Sequence, residues 1–279
     1  MVESLYTRFK SVLLGEIVSD DVRDEIAGNL GEVENDIGSS TLPSHPYYPT
    51  NLELPNYTEP TFSMTTILAV FLSVLSLIIC SSLIIISRSK NYNNNIVHPQ
   101  NQANLNSKYK VSTANKIIFT WFVICGFIHT FFEGYFAAFY QTMQQDNGLF
   151  GQMWKEYALS DSRYLTADAF VVNMERITST LWGPLSFTTA LAIYQNWPSR
   201  YVLQFVISMG QIYGCILYYW TTIFEGSPHS RPEPYYYWGY FVFANAFWTV
   251  IPSALIFDSW VRLTSAVRED LKRKSKKVD

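Results

Sequence analysis

Twenty-four consecutive residues without a charge, Met64–Ser87, constrain this chain more than any other feature. At about 1.5 Å per helical residue the run reaches across the roughly 30 Å hydrocarbon core of a bilayer. Backbone polar groups find no water at that depth, so the run must be helical. Four more stretches read the same way. Ile117–Tyr140 is interrupted by His129 and Glu133, and Phe170–Tyr194 carries Glu175, Arg176 and the break at Gly183-Pro184. Tyr201–Phe224 has no charge, and Tyr236–Val261 holds Asn245, Pro252 and Asp258. Helices of a soluble bundle would need polar outer faces, which these lack. The expected fold is therefore all-α, a polytopic membrane protein of five transmembrane helices enclosing an intramembrane cavity. In the fourth span Gly210 and Gly214 stand four apart, the small-residue spacing that lets helices approach closely.

The mean hydropathy of +0.04 hides this because the first residues differ from the rest. Residues 1–61 hold eleven acidic residues against three basic ones, too polar to bury a core, so an acidic and largely disordered extension is expected there. A short amphipathic helix fits Leu5–Leu14, and no basic start runs directly into a short apolar segment, so no cleavable signal peptide is expected. Residues 62–264 form the five-span domain and residues 265–279 a basic tail. Lys and Arg concentrate in alternate loops. Five follow the first span, and seven lie in the C-terminal tail, which predicts a cytosolic C-terminus and an N-terminus on the far side. Lys276 and Lys277, close to the end, resemble the dilysine retrieval signal of endoplasmic reticulum membrane proteins. Cys80, Cys125 and Cys215 lie inside spans and read as small core residues, with no disulfide framework. Asn56-Tyr57-Thr58 fits the glycosylation pattern but lies close to the first span.

The informative residues are the ionisable ones at membrane depth. A charged side chain there costs roughly 2.5–3.5 kcal/mol on insertion scales, so such residues mark function by default. His129 precedes Glu133 by four positions, Glu175 precedes Thr178 by three, and Asn245 precedes Trp248 by three. Each pair shares one helix face. At about 1.5 Å per residue all six lie within roughly 8–18 Å of the same membrane face. Three stripes facing inward would line one cavity, where low dielectric favours groups that both give and take a proton. A lone intramembrane glutamate is often only a structural hydrogen-bonding group; two of them, with His and Asn at matching depth, point to an acid–base site.

Other chemistries fit poorly. Three of the four histidines (His45, His98, His229) lie outside the spans, leaving too few ligands for a zinc or iron centre. No GxGxxG or P-loop is present to hold a nucleotide, and no GxSxG to mark a hydrolase. Cofactor-free proton transfer on an apolar substrate remains, which is isomerase chemistry. Trp248 could stabilise a cation through its ring face, worth about 0.5–2 kcal/mol. Trp154, Tyr157, Tyr164 and Tyr235–Trp238 read as the aromatic belt of the membrane interface. Asp161, Arg163 and Asp168 read as loop ion pairs.

Several segments match a known pattern in the right order across roughly residues 45–265. They are His45-Pro46-Tyr47-Tyr48-Pro49, His129-Thr130-Phe131-Phe132-Glu133-Gly134, Trp154-Lys155-Glu156-Tyr157 and Asp161-Ser162-Arg163-Tyr164. Met174-Glu175-Arg176-Ile177-Thr178, Leu181-Trp182-Gly183-Pro184, Gly210-Gln211-Ile212-Tyr213-Gly214 and Asn245-Ala246-Phe247-Trp248 complete the set. Together they resemble the emopamil-binding protein family of the EXPERA superfamily, the five-span 3β-hydroxysteroid Δ8,Δ7-isomerases of the endoplasmic reticulum. The resemblance implies a sterol cavity, no cofactor, membrane lipid as surroundings and no nucleic acid partner. It implies protonation of the 8,9 double bond, a tertiary carbocation, and loss of a neighbouring proton to leave a 7,8 double bond. In that family the positions of His129, Glu133, Glu175, Thr178, Asn245 and Trp248 are the ones required. Glu133, oriented by His129, and Glu175 would share donor and acceptor roles, Thr178 and Asn245 would position them, and Trp248 would face the cation. A pocket shaped for a cation should also take lipophilic amines. A homodimer is left open.

Arg176 departs from the family pattern, in which a small uncharged residue stands beside the glutamate. A helical step of about 100° turns it away from Glu175, toward headgroups or a loop carboxylate. The acidic first 44 residues and the Asn-rich segment Asn91–Asn106 have no family counterpart. The competing reading is a non-catalytic sterol-binding protein of the same superfamily, related to the sigma-2 receptor; retention of all six site residues argues for the enzyme.

Overall fold

The computed structural model describes residues 44–89 and 111–276, all of whose regular elements are helical. The helix expected at Leu5–Leu14, the Asn-rich segment Asn91–Asn106 and Lys277 lie outside the described residues. Helix α1 spans Met64–Ser87, α2 Thr113–Thr142 and α3 Leu149–Ala158. Helix α4 runs through Ala169–Ile177, Thr178–Trp182 and Gly183–Tyr194, α5 spans Arg200–Phe224, and α6 runs Tyr235–Ser275. Four of them, α1, α2, α5 and α6, are long and apolar enough to cross a bilayer. Helix α4 coincides with the expected third span, but its composition does not place it among those four.

Polar caps set where these helices begin. Ser63 Oγ accepts from the Thr66 amide at 3.2 Å, and Ser112 Oγ from that of Asn115 at 3.3 Å. Asp168 does the same for α4, taking the Val171 amide at 2.9 Å, so its carboxylate caps a helix and is not the expected ion-pair partner. Helix α6 continues beyond Val261 because Asp258–Arg262 and Asp270–Lys274 pair one turn apart, at 3.3 and 2.7 Å.

Helix α5 packs along α6, α2 along α4, and α1 lies on α2. Close approach between helices uses glycine at Gly183, Gly210 and Gly126 among the described residues. A Cβ on Gly183 would lie 2.3 Å from Thr130 Oγ1, one on Gly210 2.4 Å from the Trp182 ring, and one on Gly126 2.7 Å from Phe187. Gly214 is different. A Cβ there would meet nothing within 4 Å, and the residue lines the central cavity, so the expected helix contact falls to Gly210 alone. Outward faces carry Leu77, Trp220 and Phe257, each more than 60% exposed, as a lipid-facing surface allows.

One end of the bundle is closed by a cap made from residues 44–61, α3, the turn Ser162–Tyr164 and the segment 225–234. Tyr47 and Leu54 are buried in it beside Trp154 and Tyr164. The Ser162 amide donates to the His229 carbonyl (3.1 Å), and Ser162 Oγ to the Tyr48 carbonyl (2.6 Å). Lys155 Nζ donates to Thr58 O (2.7 Å), Thr58 Oγ1 (3.0 Å) and Asn147 Oδ1 (2.8 Å). Burial among neutral acceptors pulls its ammonium down to about 8. Arg163 and Asp161 form a buried pair. The guanidinium Nη2 donates to Oδ2 at 2.7 Å and Nε to Oδ1 at 2.9 Å, while Nη1 reaches Thr221 Oγ1 on α5 at 2.9 Å. Trp154 and Tyr164 are therefore core residues of the cap and not an interfacial belt; Tyr235 and Trp238 are exposed.

Candidate active site

Two helices are interrupted by π turns, α2 at Ile128–Glu133 and α4 at Thr178–Trp182, and α6 opens on a ten-residue π segment, Tyr235–Ala244. A π turn accommodates one extra residue and widens the helix, and such turns concentrate at functional sites. His129 and Glu133 lie within the first, Thr178 opens the second with Glu175 one turn before it, and Asn245 directly follows the π segment of α6. The wider turn also turns carbonyls outward. Two of these are taken by side chains from neighbouring elements: Trp154 Nε1 donates to Phe132 O at 3.1 Å and Tyr219 OH to Val242 O at 2.7 Å. Those two aromatics thereby help hold the irregular backbone that carries the site.

All six expected residues line one cavity of about 680 Å³, otherwise largely apolar, reached by α1 through Ile67, Leu68 and Phe71. His129 is buried, and its Nδ1 lies 2.7 Å from Glu133 Oε2. On its other side Trp248 Nε1 points at Nε2 from 3.5 Å, and Gln211 Nε2 stands 3.1 Å away. An indole N–H only donates, so Nε2 accepts and the ring proton sits on Nδ1, aimed at the Glu133 carboxylate. With both ring nitrogens occupied, the imidazole serves Glu133 and does not itself face the cavity with a free nitrogen.

Glu175 is buried and held from both sides. Tyr164 OH donates to Oε1 at 2.7 Å and Thr178 Oγ1 lies 3.1 Å from Oε2. Burial pushes the Tyr164 phenol well above its usual range, so it remains a donor. The Thr178 hydroxyl also reaches the Glu175 carbonyl at 3.0 Å. When it turns to that carbonyl, its lone pairs are free to accept a proton from Oε2, so the contact suits Glu175 as acid or as carboxylate. The carboxyl groups of Glu133 and Glu175 line the same cavity from α2 and α4, near enough for each to act on the other electrostatically. Among the described residues Asn245 makes no carboxylate contact; its Nδ2 donates to Tyr157 OH and to Phe241 O, both at 2.8 Å. Arg176 is exposed and stacks over Tyr140 at 5.2 Å, away from Glu175.

Three participants were not singled out from sequence. Tyr164 and Tyr157 looked like belt aromatics, because composition cannot distinguish a ring at the interface from one in a cap. Gln211 appeared only inside a matching segment. It is buried, donates to Cys125 Sγ at 3.3 Å beside its approach to His129, and its Oε1 has no partner among the described residues.

Fold and site together define a helical membrane protein with two carboxyl groups inside an apolar cavity. A family model described as EXPERA (EXPanded EBP superfamily) matches residues 149–259. The chain is 38% identical over 229 residues to the 3-beta-hydroxysteroid-Delta(8),Delta(7)-isomerase of Mus musculus, covering 82% of this chain and 92% of that protein. It is 38% identical over 222 residues to the protein of that name from Cavia porcellus, covering 79% and 90%. Against the probable isomerase of Arabidopsis thaliana the identity is 32% over 225 residues, covering 80% and 91%. The chain belongs to this EBP family.

Proposed function

We propose that the protein is a sterol Δ8,Δ7-isomerase, with residues 62–264 as its catalytic membrane domain. The observation that carries this reading is the pair of carboxyl groups in one cavity with unlike partners. Glu133 sits against the Nδ1–H of His129, an arrangement that favours its carboxylate. Glu175 is held by two hydroxyls in a setting that tolerates the protonated acid. Glu175 delivers its proton to one carbon of the 8,9 double bond, and the other carbon becomes a tertiary cation. The Glu133 carboxylate then removes the proton from C7, whose C–H electron pair closes the 7,8 double bond. The proton returns from Glu133 to Glu175 within the shared cavity, so each turnover restores the starting state. His129 holds Glu133, Trp248 lines the cavity beside the cation, and Asn245 fixes the aromatic wall through Tyr157. Two carboxyl groups also suit a lipophilic ammonium, which should compete with sterol. The Lys and Arg distribution supports a cytosolic C-terminus, testable by protease protection of tagged termini, and the dilysine-like Lys276-Lys277 supports an endoplasmic reticulum membrane location.

The test is expression in cells lacking their own Δ8,Δ7-isomerase, with sterols analysed by gas chromatography–mass spectrometry. Conversion of Δ8 to Δ7 sterols is expected. Persistence of Δ8 sterols beside a stable, sterol-binding protein would leave a binding protein instead.

Two variants probe the cavity and the histidine. Gly214→Phe places a ring where a Cβ now meets open space. Thermal stability in detergent should be held or raised, since glycine costs a helix about 0.5–1 kcal/mol, whereas kcat/KM should fall at least tenfold as sterol is excluded. Gln211→Leu removes the amide beside His129 at similar volume. Loss of about one hydrogen bond, roughly 1 kcal/mol, should lower kcat about fivefold and leave KM within a factor of two.

A further inference from the structure

A sterol entering this cavity carries one polar group, its hydroxyl, and an apolar site must give that group a partner or lose affinity. The reacting set is occupied with the double bond. Outside it, the lining offers a carboxylate paired with a hydroxyl from a different element, Glu156 on α3 and Tyr240 in the π segment of α6. Tyr235 OH donates to Tyr240 OH at 3.1 Å, and Tyr240 OH donates in turn to Glu156 Oε1 at 3.3 Å. The second carboxylate oxygen of Glu156 has no hydrogen-bond partner among the described residues. Glu156 is half-buried, and burial raises its carboxyl above the usual range although the Tyr240 hydroxyl and the more distant Arg231 pull the other way. Nothing in the proton-transfer scheme uses this pair.

Its position suits the substrate. Tyr240 precedes Asn245 by five residues, at most about 7.5 Å toward the cap at the α-helical rise and less through the π segment. Glu156 adjoins Tyr157, whose hydroxyl takes the Asn245 amide. The offset from the reacting zone corresponds to the separation, across one ring and part of the next, of a 3-hydroxyl from an 8,9 double bond. We propose that Glu156 and Tyr240 form the subsite that binds the 3β-hydroxyl of the sterol, fixing its first ring against the cap so that the second ring meets Glu133 and Glu175. This rests on the isomerase reading. It makes the pair specificity-determining, with Glu156 accepting from the sterol hydroxyl and Tyr240 holding the carboxylate in place.

The experiment uses the full chain in lipid nanodiscs with three Δ8 sterols: the 3β-alcohol, its 3α epimer and its 3β-methyl ether, which cannot donate. The wild type should turn over the 3β-alcohol with a kcat/KM about 10–100-fold above the other two, the size of one charge-assisted hydrogen bond. Glu156→Leu should remove that preference by raising KM for the alcohol while leaving turnover of the ether within twofold. Tyr240→Phe, which keeps the ring, should reduce the preference in the same direction and guards against a folding defect in the first variant. Equal losses on alcohol and ether, or an intact preference, would overturn the subsite. If the wild type converts none of the three, the isomerase reading fails, and the same comparison made by equilibrium binding of the labelled sterols decides the subsite separately.

Discussion

Glu175→Gln is expected to give a folded protein that binds sterol and isomerises it about 10²–10⁴-fold more slowly, the usual contribution of a general acid. The amide nearly reproduces the carboxyl in shape. Its oxygen can still accept from Tyr164, and its nitrogen can still donate to Thr178, so the two contacts at 2.7 and 3.1 Å survive. What disappears is a proton that can be given to carbon. The loss should therefore fall on kcat with KM little changed, and an amine ligand should protect the variant against heat nearly as well as it protects the wild type. Tyr164→Phe should cost less, because Thr178 still holds Glu175. A Glu175→Gln protein retaining more than a tenth of the wild-type rate would move the acid role elsewhere, with Glu133 the first place to look.

The second large effect concerns stability. Arg163→Ala strips the partner from Asp161, whose side chain is fully buried and accepts from Nε, Nη2 and the Arg163 amide. Leaving a buried carboxylate alone costs about 3–5 kcal/mol. A fall of many degrees in thermal unfolding in detergent is expected, with loss of monodisperse protein on gel filtration. The double variant Asp161→Ala, Arg163→Met should recover much of the loss, since removing both charges leaves no unpaired ion. A double variant as unstable as the single one would mean that the link from Arg163 to Thr221 at 2.9 Å matters more than the pair. Activity should follow stability, because Tyr164, next in the chain, carries the hydroxyl that holds Glu175.

Much of this arrangement was legible in the sequence for a physical reason. Ionisable groups are so costly in hydrocarbon that His129, Glu133 and Glu175 stand out with no knowledge of neighbours, and equal depth brought them with Thr178, Asn245 and Trp248 to one cavity. The cap was less legible. Trp154 and Tyr164 have the composition of an interfacial belt, and only tertiary packing separates a ring that faces headgroups from one stacked over another ring at 4.7 Å. Asp168 looked like a charge in search of a partner, whereas a helix start needed its oxygen. Gly214 shared the four-residue spacing with Gly210, but spacing records only that two residues share a face, not that a helix lies opposite both. The π turns left no periodic trace, because each shifts the apolar pattern by one residue in helices that are apolar nearly all round.

The π turns inside α2 and α4 make the site a matter of phase. Each side of a π turn is rotated by about 100° relative to where an uninterrupted α-helix would put it. Losing a single codon within the Thr130–Phe132 stretch would restore an ordinary helix of unchanged hydrophobicity, still able to span and still flanked by the same loops. Glu133 would nonetheless swing off the cavity wall, and the Phe132 carbonyl that Trp154 holds would turn back into the ladder. Length changes that a transmembrane helix normally absorbs by tilting are thus as damaging here as loss of a carboxylate, and the interior of α2 should tolerate substitution far better than insertion or deletion.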